Sequence, residues 1–534
     1  MKDFRVMTES GELQGVHGWD PRVAVFRGVP YAAPPVGELR WRAPQPAPKW
    51  EGIRKADSYG PIACQPVPGS NPEEFWTREI HPTGTEFEMS EDCLYLNVYT
   101  PARTGQEKLP VLIYIHGGGF KGGYPYEVEF DWEHMAKKGI VVVAITYRLG
   151  ILGFLSHPWL SAEAPDEAKG NYGTQDQLAA IQWVHRNIAA FGGNPEQITI
   201  AGQSAGAMSV QNLMTSVQAE GLIAGAIIES SVTVAFAEKP DRRHPLAQAE
   251  QIGVEFMEKA GIHSLEEARS VPAKRLVELE DEVLGPGIHF EPVIDGILIR
   301  ETNFEAYLRN HQHRIPVLAG YNRGEAASFS KAFGGAIRDM EELRHYAEGF
   351  GSEAEEFLNL CGARNDEEAA AVSESMAMLD LVAGARLFGC IQEQQGRSTY
   401  LYDFNADIPG EDHAGSYHGS EMWFAYDGLA RCWRPFTGKH YDLARQVSSY
   451  WVNFVKTGNP NGTDTFGNPL PEWKSFTREN AFVMEFTDQP EQSAVAIDPL
   501  MQFRIDYTLN KGNCDTHLAE DFFKHALEDA GKQE

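Results

Sequence analysis

Short runs of consecutive apolar residues alternate with segments of helical periodicity through the middle of the chain. A helical pattern covers residues 175–191, short apolar runs lie at 111–115, 140–145 and 224–228, a β-branched run covers 198–201, and strand-like segments lie at 316–320 and 399–404. Strands whose residues are all apolar are buried on both faces, and the alternation of strand and helix is typical of parallel sheets. The pattern predicts an α/β fold with a large, mostly parallel central sheet covered by helices.

Two stretches interrupt this alternation. Residues from about 236 to 290 and from about 330 to 390 are rich in charge, helical in pattern and poor in strand signals. We expect them to be insertions over the sheet end where the loops converge, forming a cap or the walls of a pocket; ordinary peripheral helices are the alternative. Since no repeat or low-complexity linker is found, residues 1–534 are interpreted as one domain.

The net charge of the chain limits the kinds of molecule that it is expected to bind. The chain has 46 basic and 76 acidic residues, a net charge of −30, which argues against nucleic acid or an anionic membrane. It has no run of about 18 apolar residues, so no membrane span is predicted. The first six residues lack the order of a secretory signal. The default prediction is therefore a cytoplasmic protein, although a secreted chain without its signal would look the same.

The segment from Gly202 to Gly206 reads Gly-x-Ser-x-Gly and joins an apolar run to a helical pattern at 205–214. Strand, tight turn and helix in this order are typical of a nucleophile elbow, in which the turn is too sharp for side chains at the two glycines. A flexible glycine–serine loop is the alternative. If the first interpretation holds, Ser204 stands clear of the backbone as a candidate nucleophile.

A serine hydroxyl needs a base, and the base needs a third group to orient it. Glu325 follows the run at 316–320, and His418 follows the run at 399–404, giving the chain order Ser, acid, His of α/β-hydrolases. Both residues fall at the same sheet end as Ser204. His413 is the competing histidine, but His418 lies next to glycines that allow close approach of the backbone.

A glycine cluster after the first apolar run supplies candidate oxyanion donors. The segment from His116 to Phe120 reads His-Gly-Gly-Gly-Phe, a motif whose backbone N–H groups bind the oxygen of a tetrahedral intermediate. Ala205, directly after the serine, is expected to donate another N–H group. A phosphate-binding loop is the alternative interpretation. The position of the cluster, after a strand and before the serine motif, favours acyl transfer.

Taken together, these motifs resemble the type-B carboxylesterase family, which includes the cholinesterases. Further segments carry the resemblance over nearly the whole chain, namely 26–32 (FRGVPYA), 91–98 (EDCLYLNV), 147–150 (YRLG), 171–173 (NYG) with 176–177 (DQ), 191–195 (FGGNP) and 458–461 (GNPN). The resemblance implies an α/β-hydrolase fold. It also implies the site residues: nucleophile Ser204, acid Glu325, base His418, and oxyanion donors Gly118, Gly119 and Ala205.

The resemblance has structural implications as well. It implies a disulfide between Cys64 and Cys93 and buried ion pairs that join Arg42 to Glu91 and Arg148 to Asp176. A disulfide would suit an oxidising compartment, whereas the first residues of the chain do not suggest one. The other four cysteines show no metal-ligand spacing and are expected to be free thiols, so neither a metal nor a cofactor is predicted.

The chain also departs from the family pattern. Gln203 stands before the serine where many relatives have glutamate, Ala207 replaces a usual glycine, and Ala326 follows Glu325 where glycine is common. Thr83 lies near the place of the tryptophan that binds choline in cholinesterases, and the spacing of Trp76 is wrong for it. The sequence therefore argues against a quaternary-ammonium site.

These observations predict a serine carboxylesterase that hydrolyses small, apolar or aromatic esters through an acyl-enzyme intermediate. Such a pocket is lined mainly by apolar groups, and the candidates for its lining are Phe120, Gln203, Phe236, Phe329, Trp423 and Phe424. The alternatives are a non-catalytic, cholinesterase-like binding protein and an amidase or carbamate hydrolase that uses the same triad. The expected partner is a small-molecule ester, and the expected state is a monomer or homodimer.

Overall fold

The computed structural model describes residues 4–71, 73–81, 86–232, 244–285, 290–325, 337–494 and 499–511. Phe236 and Phe329, two of the predicted pocket residues, lie outside these ranges. The described strands are β1 (Arg5–Thr8), β2 (Gly11–Gln14), β3 (Val16–His17), β4 (Ala24–Pro30), β5 (Ile53–Lys55), β6 (Ile62–Ala63), β7 (Met89–Ser90), β8 (Tyr95–Thr100), β9 (Leu109–Ile115), β10 (Val141–Ile145), β11 (Gly193–Gln203), β12 (Gly225–Glu229), β13 (Val317–Asn322), β14 (Thr399–Phe404), β15 (Phe482–Phe486) and β16 (Pro490–Ala494).

The helices lie between and beyond these strands. They are α1 (Phe75–Ile80), α2 (Trp132–Ala136), α3 (Gly150–Phe154), α4 (Pro158–Glu163), α5 (Tyr172–Asn187), α6 (Ala205–Thr215), α7 (Leu246–Ala260), α8 (Leu265–Ser270), α9 (Ala273–Leu284), α10 (Asn303–Leu308), α11 (Met340–Ala347), α12 (Ala354–Cys361), α13 (Asp366–Gln394), α14 (Met422–Ala425), α15 (Gly438–Thr457) and α16 (Pro499–Lys511).

Eleven of the described strands form one sheet in the order β16-β15-β14-β13-β12-β11-β9-β10-β8-β4-β3. The seven strands from β15 to β10 are parallel, whereas the pairs at the two edges are antiparallel. The prediction of a large, mostly parallel sheet is therefore confirmed. Because parallel strands end at the same sheet edge, the loops after β9, β11, β12, β13 and β14 converge there.

The composition of the central strands follows from burial on both faces. Along β9, Val111, Ile113 and Ile115 point into one apolar core, and Leu112 and Tyr114 point into a second core on the opposite face. A strand that faces two cores has no position for a solvated polar residue, which explains the unbroken apolar runs of the sequence. The sheet is a rigid support for the loops at its carboxyl edge.

Both predicted insertions are helical where the structure describes them. The first contains α7 to α9, and Glu280 on α9 accepts a hydrogen bond of 2.9 Å from the Ile151 N–H of α3. The second contains α11, α12 and α13. Together with α16, these helices enclose a third apolar cluster around Phe350 and Phe357. Whether either insertion covers the site stays a prediction.

Candidate active site

Ser204 occupies a sharp turn between β11 and α6. Its backbone has φ +55° and ψ −123°, a strained conformation for a residue with a side chain. A Cβ atom at Gly202 would lie 2.5 Å from the Gly206 carbonyl carbon, and one at Gly206 would lie 2.1 Å from the Ile115 oxygen. Glycine is therefore required on both sides of the serine, as the sequence motif predicts.

The glycine cluster after β9 lies directly against this turn. Gly118 and Gly119 have φ angles of +96° and +63°, so this loop adopts a path that favours glycine. A Cβ atom at Gly117 would lie 2.6 Å from the Gln203 carbonyl oxygen. Ala205 begins α6, and the N–H groups of a first helical turn have no acceptor within the helix. The predicted donors thus occupy neighbouring loops.

His116 at the start of this loop is buried and is not a candidate base. Burial lowers its pKa to about 4, so the ring is neutral at physiological pH. The ring stacks on Tyr147 at a centroid distance of 4.5 Å, and the Tyr147 hydroxyl donates to the His116 carbonyl oxygen at 2.8 Å. His116 therefore helps to fix the loop.

Glu325 and His418 meet beside the elbow. Glu325 Oε2 lies 3.2 Å from His418 Nδ1, and both side chains are buried. The Asn322 N–H donates to Glu325 Oε1 at 2.7 Å, which fixes the carboxylate at the end of β13. His413, the competing histidine of the sequence analysis, is exposed. The structure thus brings His418 rather than His413 to the predicted acid.

The His418 ring lies against the residue before the serine. Gln203 Nε2 lies 3.1 Å from His418 Nε2 and 3.5 Å from His418 Nδ1, and both side chains are buried. Within the described part of the chain, the structure shows no hydrogen bond between the Ser204 hydroxyl and the His418 ring. Hydrogen bonds of this kind often form only when substrate is bound. Gln203, predicted as a pocket residue, is thus a direct neighbour of the histidine.

A second buried carboxyl group, missed by the sequence analysis, lies near Glu325. Glu421 accepts a hydrogen bond of 2.8 Å from the Ser230 hydroxyl and another from the Asn322 side-chain amide. Burial and the neighbouring Glu325 carboxylate raise its pKa to about 7. The position of Glu421, three residues after His418, was the signal available in the sequence.

A third buried carboxyl group lies under the elbow. The Glu229 carbonyl oxygen accepts a hydrogen bond of 2.9 Å from the Ser204 N–H. Its carboxyl oxygens accept hydrogen bonds from the Tyr426 hydroxyl at 2.8 Å and the Trp451 indole N–H at 2.9 Å. Burial raises the pKa of Glu229, and the nearby Glu421 adds to this effect. Glu229 anchors β12 to the second core.

The short helix α1 forms an aromatic wall beside His418. The half-buried Trp76 ring lies edge-on to the His418 ring, with 6.1 Å between centroids and 82° between planes. Phe75 makes a similar contact of 5.1 Å with Tyr417. From the sequence, Trp76 is notable only for a spacing that does not suit a choline-binding residue, and its position beside His418 is not predicted. No local pattern connects residue 76 with residue 418.

A buried ion pair fastens α1 to the histidine loop. The Arg434 guanidinium donates two hydrogen bonds of 2.8 Å to Glu79, and neither side chain is exposed. Asp412 accepts two more hydrogen bonds from the same guanidinium at 2.9 Å. The Tyr417 hydroxyl donates to Glu79 Oε2 at 3.0 Å. Through these contacts α1 is bound to the residue that precedes His418.

The aromatic pocket candidates are placed mainly in packed interior. Phe120 lies in the first core with its ring 5.3 Å from Phe154, and its φ of +60° turns the chain after the glycine cluster. Trp423 and Phe424 lie in the second core, where the Trp423 indole N–H donates to the Tyr417 hydroxyl at 3.0 Å. These three side chains pack against protein, so their placement does not support the predicted role as pocket lining.

Two structural implications of the resemblance need correction. Cys64 and Cys93 are both free thiols in this structure, so the implied disulfide is absent from it. Glu91 pairs with Arg40 at 2.6 Å rather than with Arg42, which reaches Glu163 at 3.0 Å on the surface.

The second ion pair implied by the resemblance is present. Arg148 binds Asp176 through two hydrogen bonds of 2.7 Å, and both side chains are buried, as predicted. Among the described residues, no group of three or more His, Cys, Asp and Glu side chains is arranged to hold a metal ion. Within the same ranges, no helix has the length and apolar character needed to span a bilayer.

Comparison with known proteins matches this architecture. The sequence profile described as "Carboxylesterase family" matches residues 2–504. Fumonisin B1 esterase of Sphingopyxis macrogoltabida is 33% identical over 90% of this chain and 86% of its own length, and liver carboxylesterase of Sus scrofa is 32% identical over 89% and 87%.

Solved structures of esterases superpose well on this chain. A PNB esterase superposes with a TM-score of 0.80 at 28% identity, covering 94% of this chain and 99% of that one. The carboxylesterase EST55 of Geobacillus stearothermophilus gives a TM-score of 0.76 at 30% identity, covering 94% and 100%. Both superpositions extend over almost the whole of each chain.

Proposed function

Because the chain belongs to the carboxylesterase family and is a serine hydrolase of carboxylic esters, we propose that Ser204, His418 and Glu325 carry out this reaction. The observation that carries the assignment is the buried 3.2 Å contact between His418 Nδ1 and Glu325 Oε2, next to a serine with φ +55°. A serine in this strained turn presents its hydroxyl away from the backbone, and an oriented imidazole removes its proton.

In the first step, Ser204 Oγ attacks the ester carbonyl carbon while His418 Nε2 accepts the hydroxyl proton. The imidazolium is stabilised by Glu325, which receives the Nδ1–H hydrogen bond. The carbonyl oxygen becomes an oxyanion, and we assign its stabilisation to the backbone N–H groups of Gly118, Gly119 and Ala205.

When the tetrahedral intermediate collapses, His418 returns the proton to the departing alcohol oxygen. The acyl group stays on Ser204 as an ester. A water molecule then attacks this ester, with His418 as base, and the acid is released with the serine restored. The fixed contact between Glu325 and His418 serves both half-reactions, because the ring keeps the same orientation while Nε2 gains and loses the proton.

The aromatic wall indicates which part of the substrate is recognised there. The leaving alcohol must lie within hydrogen-bond distance of His418 Nε2 when it receives the proton. Trp76 lies edge-on to that ring, so the alcohol part of the substrate departs beside an indole. Aromatic rings contribute large contact areas and favour other aromatic groups. We therefore assign the substrate class to small esters with an apolar or aromatic alcohol part.

The test is covalent labelling with a fluorophosphonate, followed as intact mass, together with turnover of p-nitrophenyl acetate. We expect one adduct on the wild type and neither adduct nor turnover in Ser204→Ala. Ser209→Ala is the matched control, because this buried serine lies on the same helix and donates to the Ala205 carbonyl oxygen instead. An adduct that survives in folded Ser204→Ala would refute the assignment of the nucleophile.

A further inference from the structure

The glycine loop of the proposed oxyanion hole contains peptide groups that are hydrogen-bonded in series. The Gly150 N–H donates to the Phe120 carbonyl oxygen at 2.7 Å. The N–H of that same peptide group, which belongs to Lys121, donates to the Gly118 carbonyl oxygen at 3.1 Å. The Gly118 carbonyl shares its trans peptide group with the Gly119 N–H, so the two point in opposite directions. Whatever holds the peptide group at Lys121 therefore also directs the Gly119 N–H.

Helix α9 of the first insertion packs against α3, where this series of hydrogen bonds begins. The buried Glu280 of α9 accepts a hydrogen bond of 2.9 Å from the Ile151 N–H. A Cβ atom on the neighbouring Gly150 would lie 2.6 Å from the same carboxyl oxygen. The second oxygen of Glu280 accepts from the Phe290 N–H at 2.9 Å. This close fit fixes the start of α3 relative to α9.

The next residue of α9 reaches the glycine loop itself. The Asp281 carboxylate forms an ion pair with the Lys121 ammonium group. The two side chains are 48% and 20% exposed, so dissolved salt reaches the pair. Burial raises the pKa of Glu280, and the Lys121 ammonium opposes this rise, which shows that the cation acts on both acidic residues. Helix α9 thus holds the series of peptide groups at α3 and at Lys121.

We propose that Lys121 and Asp281 are positioning residues that keep the Gly119 N–H directed at the oxyanion; this inference rests on the proposed role of the glycine loop as oxyanion hole. The side chain of Lys121 is bound to α9, and its N–H is bound to the Gly118 carbonyl. A rotation of this peptide group disturbs both contacts. An oxyanion donor is effective when its direction is fixed before the negative charge develops.

The first variant is Asp281→Asn, which keeps the shape of the side chain and removes its charge. Both kcat and kcat/KM for p-nitrophenyl acetate should fall about threefold, the weight of a partly exposed ion pair, with KM unchanged. The reason is that the oxyanion exists only after the attack of the serine. The thiono analogue of this ester should lose less than about twofold, because sulfur accepts hydrogen bonds weakly. Asp281→Glu, which keeps the charge, should restore the rate.

Salt provides a second measurement. At about 1 M salt the Debye length is about 3 Å, so the pair is screened and the rates of wild type and Asp281→Asn should become equal. The matched control is Glu282→Gln, since this neighbouring carboxylate of α9 pairs with Arg275 instead. The control should behave as the wild type at both salt concentrations. Urea midpoints of all variants show whether the fold is kept.

Two results would overturn the inference. One is a wild-type kcat in folded Asp281→Asn at low salt, and the other is an equal loss for the ester and its thiono analogue. If Asp281→Asn does not fold, the wild type decides instead. A ratio of ester to thiono ester turnover that is the same at low and at high salt then overturns the inference.

Failure of this inference is distinguishable from failure of the proposed function. If the wild type is labelled at Ser204 and Ser204→Ala is inactive, but Asp281→Asn turns over like the wild type, only the role of the ion pair is wrong. If Ser204→Ala keeps wild-type turnover, the proposed mechanism is wrong, and the inference is wrong with it.

Discussion

His418 lies between two carboxyl assemblies that are stabilised in different ways. On one side, which we call the amide-held side, Glu325 and Glu421 accept hydrogen bonds from the backbone and side chain of Asn322 and from the Ser230 hydroxyl. Both glutamate side chains are buried, with exposed fractions of 1% and 0%. Each added negative charge on this side is therefore costly.

On the other side, which we call the arginine-held side, Glu79 and Asp412 share the guanidinium of Arg434. Hydrogen bonds from Arg434 lower the pKa of Asp412 to about 2 and so keep it ionised at ordinary pH. A bidentate guanidinium also fixes the angle of both carboxylates.

The two sides therefore respond to different disturbances. Loss of a partner damages the arginine-held side, because a buried charge is then left uncompensated. A change of pH near neutrality disturbs the amide-held side, because Glu421 releases its proton there. The arginine-held side fixes α1 to the histidine loop. The amide-held side contains the carboxyl groups whose charges act on the histidine.

The largest expected effect comes from the amide-held side. Glu325→Gln removes the charge that stabilises the imidazolium and presents an amide to Nδ1, which favours the wrong tautomer. We expect kcat/KM for p-nitrophenyl acetate to fall about 10⁴-fold, the effect of such a change in serine hydrolases. The urea midpoint is measured alongside, and Glu51→Gln at an exposed position is the control. A fall of less than tenfold in folded protein would contradict the role of Glu325.

The next largest expected effect is a loss of stability when the cation of the arginine-held side is removed. Arg434→Met removes both short hydrogen bonds from the guanidinium to the buried Glu79 and leaves it the longer contact of 3.4 Å with Arg78, so the free energy of unfolding in urea should fall by about 3 kcal/mol. Arg275→Met is the matched control, because Arg275 makes a similar bidentate pair with Glu282 and both side chains are exposed. Such a surface pair is expected to contribute less than about 1 kcal/mol. Equal losses in both variants would show that burial is not what makes the Arg434 pair important.

The pH response of the amide-held side is tested with Glu421→Gln. Between about pH 4.5 and 7 the unfolded chain has released the Glu421 proton while the folded protein still holds it, so stability falls as pH rises. The folded pKa of about 7, against an ordinary 4.5, corresponds to about 3 kcal/mol over this range. Relative to the wild type, the variant should therefore gain about 3 kcal/mol between pH 4.5 and 7.5.

Urea unfolding at half-unit steps of pH measures this difference. Glu51→Gln again serves as the control, since the Glu51 side chain is exposed to solvent. A difference between Glu421→Gln and wild type that stays constant across the range would mean that Glu421 titrates normally in the folded protein.

The smallest effect concerns recognition at the arginine-held side. Trp76→Ala removes the ring beside His418, so KM should rise about tenfold for p-nitrophenyl acetate and little for ethyl acetate, whose alcohol has no ring. Trp19→Ala, at an exposed tryptophan, should leave both values unchanged. If KM rises equally for both esters, Trp76 does not contact the alcohol part of the substrate.

The sequence predicts the structure best where a strand or a turn depends on residues that are close together in the chain. The strand-like segment at 399–404 is β14, and the segments before Ser204 and Glu325 are the strands that place them at one sheet edge. Burial on both faces makes these strands visible as unbroken apolar runs. Since the motifs follow the strands, the meeting of Glu325 and His418 could be expected.

Contacts between segments that are far apart in the sequence cannot be predicted from local sequence patterns. Arg40 and Arg42 lie in an irregular segment without periodicity, so the sequence does not indicate which one is buried. Arg40 is the buried one, because its guanidinium also donates hydrogen bonds to the carbonyl oxygens of Ala268 and Val271 near α8. In the same way, Trp76 reaches His418 only because Glu79, one helical turn later, binds Arg434.

The fit of the elbow glycines has a consequence for the motions of the site. Gly206 touches the carbonyl of Ile115 so closely that the serine turn and the start of the glycine loop form one rigid body. We therefore expect these two loops to move together. Hydrogen exchange should record this as slow, shared protection at the ends of β9 and β11.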